Sequence, residues 1–262
     1  MMYINYQKKG LKIASIWFAE NRIKDIEHDC DILYYHQSKE KFGQNYKQIT
    51  TLHTNLSLST ECIMSKIDKK VAYEIRRSER EGVETKLYNS IDLSNDNQEL
   101  KRFINLYNQF LKTKKMPGRC NLNAVKRYIE KGLFYLSTAI YDGKNVVYHA
   151  YICDNEIVRL LYSASLFREV NTGELRAIIG RANRHLHWED IVMFKSLGFY
   201  VYDWGGLSNR EEVNNIAKFK EGFGGEKIIL YNSLIPGSLL GKAIIKLMDI
   251  KRILYRKTKV EK

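Results

Sequence analysis

Residue types that could do chemistry are concentrated in three short stretches in the second half of the chain. They read GRANRHLHWEDI over residues 180–191, YDWGG over residues 202–206 and FKEGFGG over residues 219–225. Paired glycines after a strand let the backbone approach a ligand or another strand closely, because no Cβ intervenes. A bulge or tight turn explains a single glycine pair equally well. We therefore place the candidate site between Asn183 and Gly225.

These residue types favour acyl transfer over other common reactions. The chain has no Gly-x-Ser-x-Gly turn, Walker loop or Rossmann glycine fingerprint, and no cysteine has an obvious histidine partner. What remains is chemistry by positioning, in which two substrates are held together and a developing oxyanion is stabilised. The Lys220 ammonium suits that task at a carbonyl or a phosphate. Asp203 is either a general base, which must reach the acceptor's proton, or a cap of the following turn.

No metal site is predicted from these stretches. His185 and His187 are two residues apart, so on a helix they point about 200° away from each other. His185 and Glu189 are four apart, a spacing that an ordinary contact on a helix surface explains. The four cysteines are widely scattered without a C-x-x-C pair, which argues against a zinc site or a disulfide framework and indicates a reducing compartment.

The charge balance favours anionic partners. Lysine and arginine number 43 against 30 aspartates and glutamates, so the formal charge of the 262-residue chain is +13. Such a field attracts a nucleotide, tRNA, a polyprenyl-phosphate lipid or an anionic membrane surface, and charge alone does not distinguish them. No apolar run approaches the roughly 18 to 20 residues that span a bilayer. We therefore expect a cytoplasmic protein, with peripheral contact at the inner face of the cell membrane left open.

The order of elements predicts an α+β fold. Residues 1–58 contain short apolar stretches typical of strands, and a four-residue apolar repeat predicts one helix from residue 59 to Gly82. Residues 89–98 are polar and indicate a linker. Two helices and a three-strand meander over residues 133–163 follow. Then come a helix over residues 173–197, a strand over residues 199–203, a helix over residues 209–221 and a strand over residues 227–231.

The C-terminal segment, residues 239–259, predicts a basic amphipathic helix. Apolar residues fall on one arc and Lys242, Lys246, Arg252 and Arg256 on the other. Such a helix packs on its own domain or lies on an anionic membrane, and both interpretations stay open.

The three stretches together resemble the FemAB family, which includes peptidoglycan-bridge aminoacyltransferases and acetyltransferase-like proteins of surface-glycan gene clusters. Residues 70–83, KVAYEIRRSEREGV, are similar to the basic helix of that family. The resemblance covers roughly residues 52–231. It implies a GNAT-like (acyl-CoA N-acyltransferase) fold with one complete unit over residues 95–235. A reduced β-rich unit over residues 1–94 would precede it, and residues 236–262 would form the C-terminal helix.

The resemblance also implies an activity. We expect an acyltransferase that moves an acetyl or aminoacyl group to an amine or hydroxyl of a cell-envelope, peptidoglycan or surface-polysaccharide precursor. The donor would be acyl-CoA or aminoacyl-tRNA, the acceptor a glycan or muropeptide precursor, and neither a metal, a tightly bound cofactor nor DNA is expected. The tRNA-binding arm of some members and the Gln/Arg-x-x-Gly-x-Gly/Ala loop of CoA-dependent enzymes are not evident, so the donor stays open. The competing interpretation is a non-enzymatic basic module that binds tRNA or anionic lipid.

Roles for individual residues follow from the same resemblance. Lys220 would stabilise the acyl-transfer oxyanion or bind phosphate, and Asp203 would orient or deprotonate the acceptor. The other candidates would bind substrate or donor, and they are Asn183, His187, Trp188, Gly205, Gly206, Phe219, Arg76 and Arg77.

Overall fold

The computed structural model describes the whole chain except residues 26–28, 115–117, 208–213 and 261–262, with backbone alone for residues 214 and 251–260. The chain divides into two compact units. The smaller unit combines Met1–Thr50 with Ile229–Lys262, and the larger unit is Thr51–Ile228. The boundaries predicted from the sequence lie elsewhere, since the one after residue 94 falls inside the larger unit.

The smaller unit is built on β-strands. They are β1 (Met2–Lys8), β2 (Leu11–Trp17), β3 (Ile32–Ser38) and most of β10 (Glu226–Pro236), in the order β1-β2-β3-β10. β1 and β2 form an antiparallel hairpin, β2 and β3 are parallel, and β3 and β10 are antiparallel. Lys9 and Gly10 both have positive φ at the hairpin turn, as a two-residue turn between twisted strands requires. The last helix of the chain, α8 (Leu239–Val260), belongs to this unit.

The larger unit alternates helices with strands. Its strands are β4 (Tyr46–Asn55, entering from the smaller unit), β5 (Glu84–Tyr88), β6 (Phe134–Tyr141), β7 (Lys144–Cys153), β8 (Ile157–Ser165) and β9 (Val201–Leu207). Their order is β4-β9-β8-β7-β6-β5, with antiparallel pairing from β5 to β8 and a parallel pair between β8 and β9. This arrangement confirms the predicted α+β class.

Helices cover this sheet. They are α1 (Thr60–Ser65), α2 (Lys69–Arg80), α3 (Ser90–Asn95), α4 (Gln98–Thr113), α5 (Leu122–Glu130), α6 (Gly173–Ser196) and α7 (Asn214–Glu221). α6 packs against α2, β6 and β7, and α4 packs against β8. A hydrophobic core lies under α6 and includes Tyr151, Phe194, Tyr202, Trp204 and Phe223. Within the described residues, none of the helices has the length and apolarity that crossing a bilayer requires.

Two sequence predictions in this unit are wrong. The single helix predicted from residue 59 is two helices, because Asp68 caps a new one by accepting a hydrogen bond from the Lys70 amide. The predicted linker over residues 89–98 contains α3, whose N-terminus Asn89 and Asp92 cap reciprocally. Predicted helix 209–221 is seen from Asn214, and its earlier part lies outside the described residues.

Candidate active site

The candidate site lies where the parallel pair of β8 and β9 ends. Three residue pairs join these strands, the last being Arg159 with Asp203. Gly205 follows with φ of +71°, and a Cβ there would lie 2.9 Å from the Leu160 carbonyl oxygen. Since real Cβ atoms do not approach that closely, glycine is required for β9 to continue past β8 at this point.

Asp203 is a completely buried carboxylate at the centre of this region. One oxygen, Oδ1, accepts hydrogen bonds from the Thr51 hydroxyl and, at 2.8 Å, from the Gly205 amide. The other, Oδ2, lies 3.8 Å from His53 Nε2 and 3.7 Å from Arg159 Nε. Burial raises the pKa of Asp203, but the neighbouring His53, the hydrogen bond from Thr51 and the charge of Arg159 outweigh it and hold that pKa below its ordinary value. The carboxylate is therefore ionised at neutral pH.

Lys220 extends from α7 to the end of β9. Its Nζ donates to the Gly206 carbonyl oxygen at 3.1 Å and to the Gly205 carbonyl oxygen at 3.4 Å. Burial, opposed by the charge of Asp203 and assisted by the charge of Arg159, lowers the pKa of Lys220 to about 8. The side chain is thus a partly desolvated cation close to its titration point at physiological pH.

A buried hydrogen-bond chain runs behind β9 and fixes the state of His187. The Tyr151 hydroxyl donates to Asp190 Oδ2 at 2.6 Å, so the Tyr202 hydroxyl, 2.8 Å away, donates to the Tyr151 oxygen. The Tyr202 oxygen then accepts from His187 Nδ1, at 2.9 Å. Burial, together with the charges of His149, Lys220 and Arg184, lowers the pKa of His187 well below its ordinary value. His187 is therefore a neutral imidazole protonated on Nδ1, with a lone pair on Nε2.

The same chain brings together a group of metal-ligand type. His149, His187 and Asp190 offer ligand atoms within 4.8 Å of one another. The spacing of His185 and His187 along the chain, from which the sequence analysis argued, gave no sign of this group. The two imidazole rings stack with centroids 3.9 Å apart. Both nitrogens of His149 are already occupied, one by Asp190 and one by Asn183, each at 2.8 Å. These contacts fit a satisfied hydrogen-bond network better than a coordination sphere.

Tyr202→Phe tests this hydrogen-bond chain. The substitution leaves a buried His187 N–H without its acceptor, so we expect the free energy of unfolding to fall by about 1–3 kcal/mol. Denaturant unfolding measures the change, and long-range nitrogen-15 NMR of the imidazoles should show an altered tautomer at His187. The control is Tyr200→Phe, because Tyr200 is 57% exposed. An unchanged tautomer and stability in Tyr202→Phe would contradict the assigned direction of the hydrogen bonds.

An aromatic cluster holds His187 in place. Its ring centroid lies 4.7 Å from that of Trp204 and 5.6 Å from those of Phe219 and Phe223. The guanidinium of Arg184 stands over the Phe219 ring at 5.1 Å. Contacts of this kind fix α7, and with it Lys220, against α6 and β9.

A cavity of about 610 Å³ adjoins the site through His53. Its lining comes from four separate segments of the larger unit, which contribute His53 and Thr54, Lys66, Tyr200, and Phe223 with Gly225. A Cβ on Gly225 would lie 2.8 Å from the His53 carbonyl oxygen, so the second glycine pair allows close approach of two backbones. The His53 side chain is 20% exposed, whereas that of Asp203 is 1% exposed. His53 therefore links the buried carboxylate to a cavity of ligand size.

The structure brings some of the predicted residues together. Lys220, Asp203, Gly205 and Gly206 form one cluster, with His187 and Phe219 directly behind it. Asn183 contributes indirectly, by bonding His149.

Other predicted residues lie apart from this cluster. Trp188 is half-buried and packs against the hydrophobic core. Arg76 and Arg77 are exposed on α2, and Arg77 forms an ion pair with Glu81 at 2.9 Å.

Sequence reasoning missed several residues of the site. Arg159 and His149 are polar residues inside otherwise apolar strands, and that contrast was a usable signal. Thr51 and His53 lie in a strand of mixed polarity about 150 residues before Asp203, and no local pattern points to them.

Solved structures share this fold at low sequence identity. FemX has a TM-score of 0.63 at 10% identity, over 94% of this chain and 85% of the FemX chain. The C-terminal domain of an Agrobacterium fabrum protein described as a lysylphosphatidylglycerol synthetase has a TM-score of 0.57 at 11% identity. The match covers 94% of this chain and 84% of that domain's chain. L-PGS from Bacillus licheniformis has a TM-score of 0.53 at 12% identity, over 92% of this chain and 83% of the L-PGS chain. No family model matches the chain, and no curated protein sequence matches it.

Identities this low show the fold alone. At that level the FemAB-like resemblance predicted from the sequence is confirmed, since FemX has the same fold over most of both chains.

Proposed function

We propose that this chain is an acyltransferase that moves an acetyl or aminoacyl group to an amine or hydroxyl of a cell-envelope or surface-glycan precursor. The observation that carries the proposal is the position of Lys220, whose ammonium lies 3.1 Å from the Gly206 carbonyl oxygen where β8 and β9 cease to pair. A cation fixed in partly desolvated surroundings stabilises a developing oxyanion more than water does. The shared fold of FemX and the lysylphosphatidylglycerol synthetase domain supports the same reaction class.

Lys220 is the oxyanion-stabilising group of the proposed reaction. The acceptor nitrogen or oxygen attacks the acyl carbonyl carbon, and the carbonyl oxygen gains negative charge next to Nζ. Collapse of the tetrahedral intermediate breaks the bond to the leaving group, which is the thiolate of CoA or the terminal ribose oxygen of tRNA. That leaving group takes up a proton, and the acceptor loses one.

Asp203 orients the group that receives the acceptor's proton. Because this carboxylate is buried and already bonded by Thr51 and Gly205, it is poorly placed to meet an acceptor directly. His53 lies beside it and lines the cavity. The carboxylate would hold the imidazole and stabilise its protonated form, while the imidazole takes the proton from the acceptor.

Donor and acceptor follow from chemistry and from the resemblance to the FemAB family. Acyl-CoA and aminoacyl-tRNA are both polyanions that match the +13 formal charge of the chain. A glycan or muropeptide precursor with a free amine or hydroxyl supplies the nucleophile. The chemistry assigned to Lys220, Asp203 and His53 requires no resident cofactor.

A transfer assay with the full chain tests the proposal. Labelled acetyl-CoA and labelled aminoacyl-tRNA are each incubated with nucleotide-linked muropeptides, lipid-linked muropeptides or sugar nucleotides, and products are identified by mass spectrometry. Transfer by the wild type but not by Lys220→Met supports the proposal. Absence of transfer, combined with tRNA or lipid binding that collapses between low and moderate salt, would favour the competing non-enzymatic basic module.

His53→Gln tests the role given to the imidazole. General-base catalysis contributes about 10²- to 10⁴-fold, so we expect kcat to fall by about that factor with a much smaller change in KM. Ser57→Ala is the matched control, because Ser57 lines the same cavity without titrating. A kcat within threefold of the wild-type value in His53→Gln would assign the proton transfer to another group.

A further inference from the structure

The C-terminal helix α8 is attached to the smaller unit along one narrow side. Gly241 and Ile245 are buried there, and a Cβ on Gly241 would clash with the Asp31 carbonyl oxygen. Asp249, one turn further on, accepts a hydrogen bond from the Asn45 amide nitrogen at 2.7 Å. These contacts fix the rotation of the helix about its own axis.

The opposite side of α8 carries apolar side chains to the surface. At about 100° per residue, Leu240, Ala243, Leu247 and Ile250 fall on the arc opposite Ile245. We call these four residues the outer face. Leu240 is 54% exposed, Leu247 is 57% exposed and Ile250 is 46% exposed. Contiguous exposed apolar side chains on a rigid helix mark an interaction surface.

The charges around the outer face distinguish between occupants. Lys246 is exposed near the edge of the outer face, and Lys242 is exposed on the same flank of the helix, nearer its attached side. Asp249 is the sole acidic side chain among the described side chains of α8, residues 239–250, and it is engaged by Asn45. A second copy docking here would bring two lysine pairs together without acids to neutralise them. An anionic lipid surface instead accepts the apolar side chains between its acyl chains and the lysines among its headgroups.

We propose that α8 docks the protein on an anionic bilayer surface, with the outer face immersed at the boundary between headgroups and acyl chains. The helix lies on the membrane rather than across it, because none of the described helical segments is long and apolar enough to cross a bilayer. This proposal is independent of the acyltransferase proposal, because it uses no residue of the candidate active site.

Vesicle sedimentation of the full chain tests the docking. We compare vesicles of phosphatidylcholine alone with vesicles in which about a third of the lipid is phosphatidylglycerol. Binding should be strong only to the second kind. Lys242→Gln combined with Lys246→Gln should weaken it by about 25-fold, which is about fivefold for each lysine removed. Leu247→Glu should abolish it.

The control matches the Leu247 variant in charge and exposure. Ile229→Glu adds the same carboxylate at a residue that is 53% exposed on β10 of the same unit, so it should bind as the wild type does. Circular dichroism melting confirms that each variant is folded. Equal binding to both vesicle types, or retained binding in Leu247→Glu, would overturn the proposal. The proposal would also be overturned if the wild type did not bind vesicles and light scattering showed a dimer that Leu247→Glu dissociates.

Discussion

Lys220→Met is expected to reduce kcat for acyl transfer by about 10²- to 10³-fold, the usual effect of losing one oxyanion-stabilising group. The fold should persist, because burying the ammonium costs free energy, as its lowered pKa shows. Methionine keeps an unbranched aliphatic stem at this position. Single-turnover rates at saturating donor and acceptor measure the effect, and denaturant unfolding checks stability. A variant within threefold of the wild-type rate would remove Lys220 from the mechanism.

The pH dependence provides a second readout for this residue. Because the pKa of Lys220 is lowered to about 8, the wild-type rate should decline as pH rises through 8. Lys220→Arg keeps its charge, so its rate, although lower through altered geometry, should lack that decline. Loss of the folded state at high pH would not explain a decline in the wild-type rate above pH 8. Between pH 8 and the ordinary lysine value of 10.5 the unfolded state binds more protons at this group, so its contribution to stability rises with pH.

Trp204→Ala is expected to lower the free energy of unfolding by about 3–5 kcal/mol. The side chain is completely buried, and its ring centroid lies 4.7 Å from that of Phe223 and 4.9 Å from that of Tyr202. Its indole nitrogen donates to the Thr54 hydroxyl at 2.9 Å. Truncation therefore leaves a large cavity beside a hydroxyl that has lost a partner. Denaturant unfolding followed by fluorescence and circular dichroism measures the loss.

The matched control is Trp188→Ala. Trp188 is only half-buried at the margin of the same core, so its truncation should cost clearly less than that of Trp204. Equal losses from the two substitutions, or a loss below about 1 kcal/mol at Trp204, would show that the core relaxes to fill the space.

Strong local periodicity made much of the fold predictable. The long helix expected over residues 173–197 is α6, Gly173–Ser196, and the three-strand meander over residues 133–163 is β6 to β8. The helix predicted over residues 239–259 is α8. The break between α1 and α2 was missed because the apolar residues of the two helices keep one four-residue spacing across the Asp68 cap. β5 was missed since its five residues have mixed polarity and depend on pairing with β6.

The candidate site was predictable only where its residues are neighbours in sequence. Lys220 and the Asp203 to Gly206 segment were identified because glycines, a carboxylate and a lysine follow one another closely. His53 and Thr51 reach Asp203 through strand order, which no local pattern encodes. His149 joins Asp190 across 41 residues for the same reason.

The chain enters the larger unit along β4 and leaves it along β10, so both termini build the smaller unit. During synthesis, all of residues 51–228 emerge from the ribosome before the segment that completes the first fifty residues. The larger unit can therefore fold before β10 and α8, which complete the smaller unit with β1 to β3, have been synthesised. Nascent β3 meanwhile has an uncovered edge that invites pairing with other chains. Premature termination near residue 228 would make that exposure permanent, so such fragments should aggregate rather than persist as a functional domain.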